Sequence, residues 1–360
     1  MWLDKLSGLD KPLKGVNLMP KIYSSGSYRS SSLNFKEILN KLSEDQQKRI
    51  ERLIQIDPVL SILQYIKVYF WIAIAIAIGV YSWHPLVVVA VIVFIAGRQH
   101  SLYILNHDAS HNLLFKTSSQ NKWVATVFSN LVMFHHPEAW SFVQWKRIHI
   151  RHHLYLFTDQ DPNYVGRQNK GDTIAVHRPL KLIWLCMRSG ITSSFQFFIG
   201  RQDYADSRVT TKVNKGAYNH LSCLFRYFKD DPQMQIESIV RLTFIVFAGV
   251  ILSVFQWWIP FLVFWIVPMY TIYPMILMFM DLTEHRWADT SANMENNTRS
   301  VRTGVLAKLI VGALPRGFHR EHHFCPRVAV TKLPELSMIL CQEDVLSDPI
   351  SIKDLFKELA

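Results

Sequence analysis

The apolar residues of this chain fall in long unbroken blocks rather than in the alternation of strands. Two windows, Val68 to Gly97 and Leu242 to Met280, contain no Lys, Arg, Asp or Glu. About 20 consecutive apolar residues span the hydrocarbon core of a bilayer as a helix, so both windows predict membrane-crossing segments. Each window is interrupted once. Ser82-Trp83-His84-Pro85 divides the first into helices near 59–83 and 85–106, and Gln256-Trp257-Trp258-Ile259-Pro260 divides the second into helices near 238–256 and 259–281, with tryptophans suited to a membrane interface. The pattern predicts an all-α integral membrane protein with four transmembrane helices in two hairpins.

The second helix carries Arg98, Gln99 and His100 near its end. An Arg at a helix centre costs roughly 2.5–3.5 kcal/mol on insertion scales, so Arg98 must face the protein interior or snorkel. Reading the first window as one span would place the ten basic residues before Ile56 on the opposite side from the eighteen between Arg98 and Arg241. Two spans keep them together, as the positive-inside rule requires. Two shorter apolar stretches, Trp123 to Phe134 and Leu180 to Gly200, read as interfacial or re-entrant helices. Residues 1–57 form a polar, basic cytoplasmic arm with a helix expected over Asn34 to Ile56. Residues 58–360 form the membrane domain, whose cytoplasmic cap is 107–237 and 282–360.

Charge sharpens this layout. The chain has 360 residues, 49% of them hydrophobic, and a net charge of +11. Its 39 Lys and Arg residues avoid the apolar windows, with eleven before Val68, eighteen from Arg98 to Arg241 and ten from Arg286 onward. That distribution faces a cytoplasmic surface and anionic headgroups, and no basic-aromatic motif for nucleic acid accompanies it. The localisation expected is a multi-pass protein of a bacterial inner membrane or the endoplasmic reticulum. The four cysteines form no CxxC, which argues against a disulfide framework or thiolate metal site. The first residues have no apolar core of a signal peptide, so none is expected to be cleaved.

Fifteen histidines are present, and eight sit in three motifs: HDASH (His107, His111), HIRHH (His149, His152, His153) and HREHH (His319, His322, His323). Two HxxHH motifs arise by chance in well under ~0.1% of chains with this histidine content, which makes the signal specific. Residues at i, i+3 and i+4 share a helix face, so each motif can aim its imidazoles at a common point. One HxxxH alone is ordinarily surface polarity. Three, one directly after the first hairpin, one in the loop between hairpins and one about 35 residues after the second, point to metal, and neutral imidazole suits Fe, Zn, Cu or Ni. Eight ligands are too many for one tetrahedral ion and suit two. The motifs meet on one face only if Trp123 to Phe134 does not cross the membrane.

His285, at the end of the last span, is a candidate ninth ligand. His135 and His136 precede Pro137, which disturbs a helical face, and read as structural or substrate-facing. His84 is on the far side, His100 lies within the span, and His177 and His220 are isolated. Ligating imidazoles usually donate their other N–H to a carboxylate. Asp108, Asp161, Asp281, Glu284 and Glu321 are near enough in sequence to accept, Asp108 and Asp161 foremost.

The order HxxxH, HxxHH, HxxHH around two hairpins resembles the membrane fatty acid desaturase and hydroxylase superfamily. The likeness runs from about Arg98 to Leu336 and includes GRQHSLYILNHDASHNLLF as a first box, HIRHHLYLFTDQDPNY as a second, and HREHHFCPRVAVTKLPEL as a third. The resemblance implies two non-haem iron ions held by His107, His111, His149, His152, His153, His319, His322 and His323. It also implies O2 as co-substrate, an acyl or lipid chain as substrate, and electrons from a separate protein of ferredoxin or cytochrome b5 type. The third box opens with His319 where members fused to cytochrome b5 usually have Gln, and the chain contains no HPGG haem motif. Zinc, which has no redox chemistry, could fill the site without performing such a reaction.

These features predict an oxidoreductase that introduces a double bond into an acyl chain. A lipid or terpenoid hydroxylase or ketolase of the same superfamily is the alternative, since both outcomes begin with the same hydrogen abstraction and diverge on substrate placement. A non-catalytic metal transporter or lipid-binding receptor is the competing class. A transporter should place ionisable ligands near the bilayer midplane, and Leu242 to Met280 contains no histidine or acid.

Overall fold

Four helices among the described residues are long and apolar enough to cross a bilayer, and they pair into two hairpins. The structure, a computed structural model, describes residues 42–133, 141–170, 179–199, 232–287, 297–312, 314 and 317–358. Most of the N-terminal arm, His135, His136, His177 and His220 lie outside the described residues.

Helix α1 (Glu44–Ile54) is the described end of the helix expected over Asn34 to Ile56. It starts at a capping box between Ser43 and Gln46 and buries Ile50 and Leu53. The first hairpin is α2 (Pro58–Ser82) and α3 (Pro85–Ser110). Asp57 caps α2 by accepting the Leu60 N–H at 2.9 Å, and Pro58 occupies the first turn, where its missing N–H costs nothing. Trp83 ends α2 in the left-handed region at φ 44°, and Pro85 restarts the chain as α3, so the turn falls where the sequence break predicts it. On α2 the buried residues are Ser61, Tyr65, Val68, Ile72, Ala75 and Gly79, a stripe with three- and four-residue spacing, while Val59, Ile62, Ile66 and Phe70 face outward.

Arg98, Gln99 and His100 face the protein interior. A short helix, α10 (Val305–Val311), ends against α3, and its last carbonyls receive Arg98 and His100. Arg98 Nη2 donates to Lys308 O at 2.8 Å, and His100 Nδ1 bonds Val311 O. Gln99 Nε2 donates to Trp265 O at 2.9 Å. Helix C-terminal carbonyls lack intrahelical partners, and the buried guanidinium caps the end of α10. The approach is close at Gly97, where a Cβ would lie 2.3 Å from Ile310 O.

The second hairpin is α8 (Pro232–Val254) and α9 (Trp258–Glu284). Before them in the chain come the short α6 (Pro162–Lys170) and then α7 (Pro179–Ile199), the interrupted apolar stretch of the sequence, which packs along the latter half of α9. Pro274 in α9 cannot bond the Tyr270 carbonyl, and Ser194 Oγ of α7 donates to that oxygen instead at 2.9 Å. The other short stretch forms α4 (Ser118–Ala125), continued by a π turn over Thr126–Asn130, too short to cross.

Both membrane helices that lead to histidines outrun their predicted ends. At ~1.5 Å per residue, the 26 residues of α3 and 27 of α9 reach about 39–41 Å, against a hydrocarbon core of ~30 Å. Neither HDASH nor the Asp-Leu-Thr-Glu segment contains a helix breaker, so the water boundary does not end the helix. The last turns project beyond the apolar region and carry the chemistry with them.

Candidate metal centre

Four chain segments converge at the ends of α3 and α9 away from the two hairpin turns. Helix α3 brings His107, and His111 caps its C-terminus. Helix α5 (Phe142–Leu154), capped where Ser141 Oγ accepts the Gln144 N–H, brings His149, His152 and His153. His285 terminates α9, its N–H donating to Asp281 O at 3.0 Å. The short α11 (His319–Phe324) brings His319, His322 and His323.

The third motif reaches the others through backbone pairing. Arg286 N–H donates to Asn297 O and Arg299 N–H to Glu284 O, both at 2.8 Å, so 297–299 lies against the end of α9. The next residues form β1 (Val301–Arg302), parallel to β2 (Ile350–Ser351). Val301 N–H donates to Gly317 O at 2.6 Å, where only a glycine fits, since a Cβ at 317 would meet Val301 O at 2.0 Å. Glu321, fully buried, accepts from Ser300 Oγ and, at 2.7 Å, from Ser337 Oγ. Those bonds pin α11 with its histidine face toward α5.

The nine candidate histidines form two adjoining groups. His107, His111, His149, His153 and His322 make one, and His152, His285, His319 and His323 the other, with ligand atoms inside each group within 4.8 Å of one another. Nε2 faces Nε2: His111 to His149 is 2.8 Å, His153 to His149 3.0 Å and His322 to His153 3.1 Å. In the second group His285 to His152 is 3.2 Å, His319 to His285 3.0 Å and His323 to His319 2.9 Å.

Spacing alone suggested that each motif aims at one point, and here the structure corrects the expectation. Both HxxHH motifs divide between the groups. With 3.6 residues per turn, i+4 lies about 40° to one side of i and i+3 about 60° to the other. His149 and His153 therefore go together while His152 turns away, and His319 and His323 go together while His322 turns away. Each HxxHH helix thus bridges the two groups, and HDASH and His285 complete one group each.

Carboxylates stand behind the second group. His152 Nδ1–H donates to Asp161 at 3.0 Å, and Asp161 also accepts the Phe157 and Asn163 N–H groups. His285 Nδ1 lies 3.2 Å from Asp281 O and 3.4 Å from its Oδ1, and His319 Nδ1 lies 3.6 Å from Glu284 Oε2. Asp108 differs. One oxygen lies 3.5 Å from His107 Nδ1, and the other accepts the Val330 N–H at 3.0 Å, tying the first motif to the chain after the third.

Burial and crowding favour the neutral form of five of these imidazoles. His149, His153, His322 and His323 are pushed well below the ordinary histidine value by burial first and by neighbouring histidines second. His111 falls to about 3 through burial and the nearby Lys146 charge. The neutral form is the one that binds metal. The spacing also fits: two nitrogens ~2.1 Å from one ion and at right angles to each other sit ~3.0 Å apart. Nine imidazoles aimed at two points form a donor set that can hold two cations.

Two tryptophans were not singled out by the sequence reading. Trp145 stacks on His149 with ring centroids 4.9 Å apart and planes 11° apart, and Trp287 stacks on His285 at 4.6 Å and 27°. Trp145 precedes His149 by four residues on a helix. Trp287 follows His285 by two residues on extended backbone, so either was detectable from periodicity. His84, the exposed residue before α3, stands at the opposite end of the hairpin, and His100 lies two turns before His107.

Comparison with known proteins places this geometry. The family model described as fatty acid desaturase matches residues 81–345, a stretch that includes all nine histidines. No individual curated protein matches the chain.

Proposed function

Because the chain belongs to the fatty acid desaturase family, we propose that it uses two non-haem iron ions and O2 to oxidise an unactivated C–H bond of a fatty acyl or lipid chain, introducing a double bond. The observation that carries this reading is the pair of adjoining histidine groups, five and four, built within the matched region. Iron supplies the one-electron redox chemistry that O2 activation needs and that zinc lacks.

The chain's own residues divide the remaining work. Eight of the nine histidines meet through Nε2, which leaves their Nδ1 for orientation. Asp161, Asp281 and Glu284 hold His152, His285 and His319 in register. Helices α3 and α9 carry the site just beyond the apolar layer, where an acyl chain lying along the helices and a water-soluble electron donor can both approach. The basic arm 1–57 and the cap 107–237 and 282–360 lie on the cytoplasmic side in this reading, with 58–360 as the catalytic membrane domain. Electrons come from a separate ferredoxin or cytochrome b5 type protein.

Mass spectrometry of lipids from an expressing host tests the reaction. A new double bond that disappears with His322→Ala supports the desaturase. A hydroxy or keto product instead reassigns the chain to the alternative oxidation, and an unchanged profile in iron-replete cells overturns the reading.

A further inference from the structure

Trp287 has a setting that packing alone does not require. Its ring lies on the His285 imidazole, and its Nε1–H donates to Asp281 Oδ2 at 3.0 Å. The other oxygen of that carboxylate lies 3.4 Å from His285 Nδ1, so one acid joins the indole and the candidate ligand. Arg167 Nη2 fixes the acid from behind at 2.6 Å. Trp287 is buried, with Phe157 at 5.0 Å and Tyr164 stacked at 6.4 Å and 20°. A phenyl ring would support His285 as well as an indole does. What the indole adds is a side chain that can lose one electron, and what Asp281 adds is a fixed acceptor for the indole N–H, whose hydrogen bond strengthens as the electron leaves.

We propose that Trp287 is a redox-active residue that gives one electron, through His285, to the metal ion this histidine holds. The inference rests on the iron and O2 reading above. Trp287 is oxidised by one electron to an indole radical cation, and the ion beside His285 is reduced by one. The proton stays on Nε1 in its hydrogen bond to Asp281, and no bond breaks. The oxidant is O2 acting through the iron pair when no acyl chain is bound. The reductant that restores Trp287 is a one-electron carrier protein of the class that serves turnover. The step drains oxidising equivalents that would otherwise attack the ligand histidines. Trp145 serves as the internal comparison, since it stacks on His149 but, among the described residues, no carboxylate sits on its indole nitrogen.

The test uses the full-length, iron-loaded enzyme in detergent free of acyl substrate, reduced and then mixed with O2. Freeze-quenched samples of protein made with ordinary and with ring-deuterated tryptophan are compared by EPR, and peptides are mapped by mass spectrometry. The expected results are a radical signal narrowed by deuterium, absent from Trp287→Phe and present in Trp145→Phe, and an added oxygen atom accumulating at Trp287 before any other tryptophan. A preparation that contains iron and forms oxidised lipid, yet shows neither a deuterium-sensitive signal nor oxidation at Trp287, overturns the proposal and leaves the function standing. An undiminished signal in Trp287→Phe also overturns it. A preparation with no iron and no oxidised product overturns the functional reading instead.

Discussion

His152 Nδ1–H donates to Asp161 Oδ1 at 3.0 Å, with both side chains buried, so the Nε2 of His152 is aimed by a carboxylate nine residues away. Such partners typically contribute 10- to 100-fold in metal affinity. Asp161→Asn should therefore release metal from the four-histidine group by about that factor while the five-histidine group keeps its ion. Iron titration of the purified variant, read as a stoichiometry that falls toward one ion per chain, checks this. Unchanged affinity for both ions would show that Asp161 only orders its loop.

The split of the HxxHH motifs makes single ligands diagnostic. His322→Ala removes a candidate ligand from the first group, and His152→Ala one from the second. Each should abolish turnover, with membrane insertion intact, because the spanning helices do not depend on either side chain. Product assay and membrane fractionation check the pair. Full activity in either variant would mean the ligand assignment is wrong.

Much of this arrangement was legible in the sequence, because membrane spans and histidine boxes are local signals. The turns at Trp83 and Gln256, the four spans and the convergence of three motifs all follow from composition and period. His285 followed from its place at the end of a span. What the sequence concealed is contact across long separations. Nothing local to Asp108 says that it accepts the Val330 N–H, 222 residues onward, or that Glu321 faces two serines rather than an imidazole. The reach of α3 and α9 past the apolar layer was also hidden, since hydropathy marks where lipid ends and not where a helix does.

Gly97 tests the packing that supports this reach. In Gly97→Ala the new methyl would meet Ile310 O at 2.3 Å, backbone that cannot yield without moving α10. The expected cost is about 1–3 kcal/mol, the range for overpacking a tight contact. A lowered thermal midpoint in detergent checks it, and a midpoint equal to the parent's would show that α10 is free to shift.

The depressed histidines predict how the metal-free protein responds to acid. His111, at about 3, and the four others held well below the usual histidine value bind protons less readily folded than unfolded, where the value is near 6.5. Below pH 6.5 the unfolded chain thus binds more protons, and stability rises with pH up to that point and levels off above it. Thermal midpoints of chelated protein should fall between pH 7 and pH 5 and stay level between pH 7 and pH 8. A midpoint flat across the whole range would mean that these imidazoles are hydrated and not buried together.

The claim at the centre is that nine histidines in two adjoining groups hold two iron ions. Metal analysis combined with Mössbauer spectroscopy of the purified protein addresses it directly. The account predicts two irons per chain with the spectrum of a magnetically coupled pair, lost together with activity in His322→Ala. One isolated zinc per chain, in a preparation that still oxidises lipid, would contradict it.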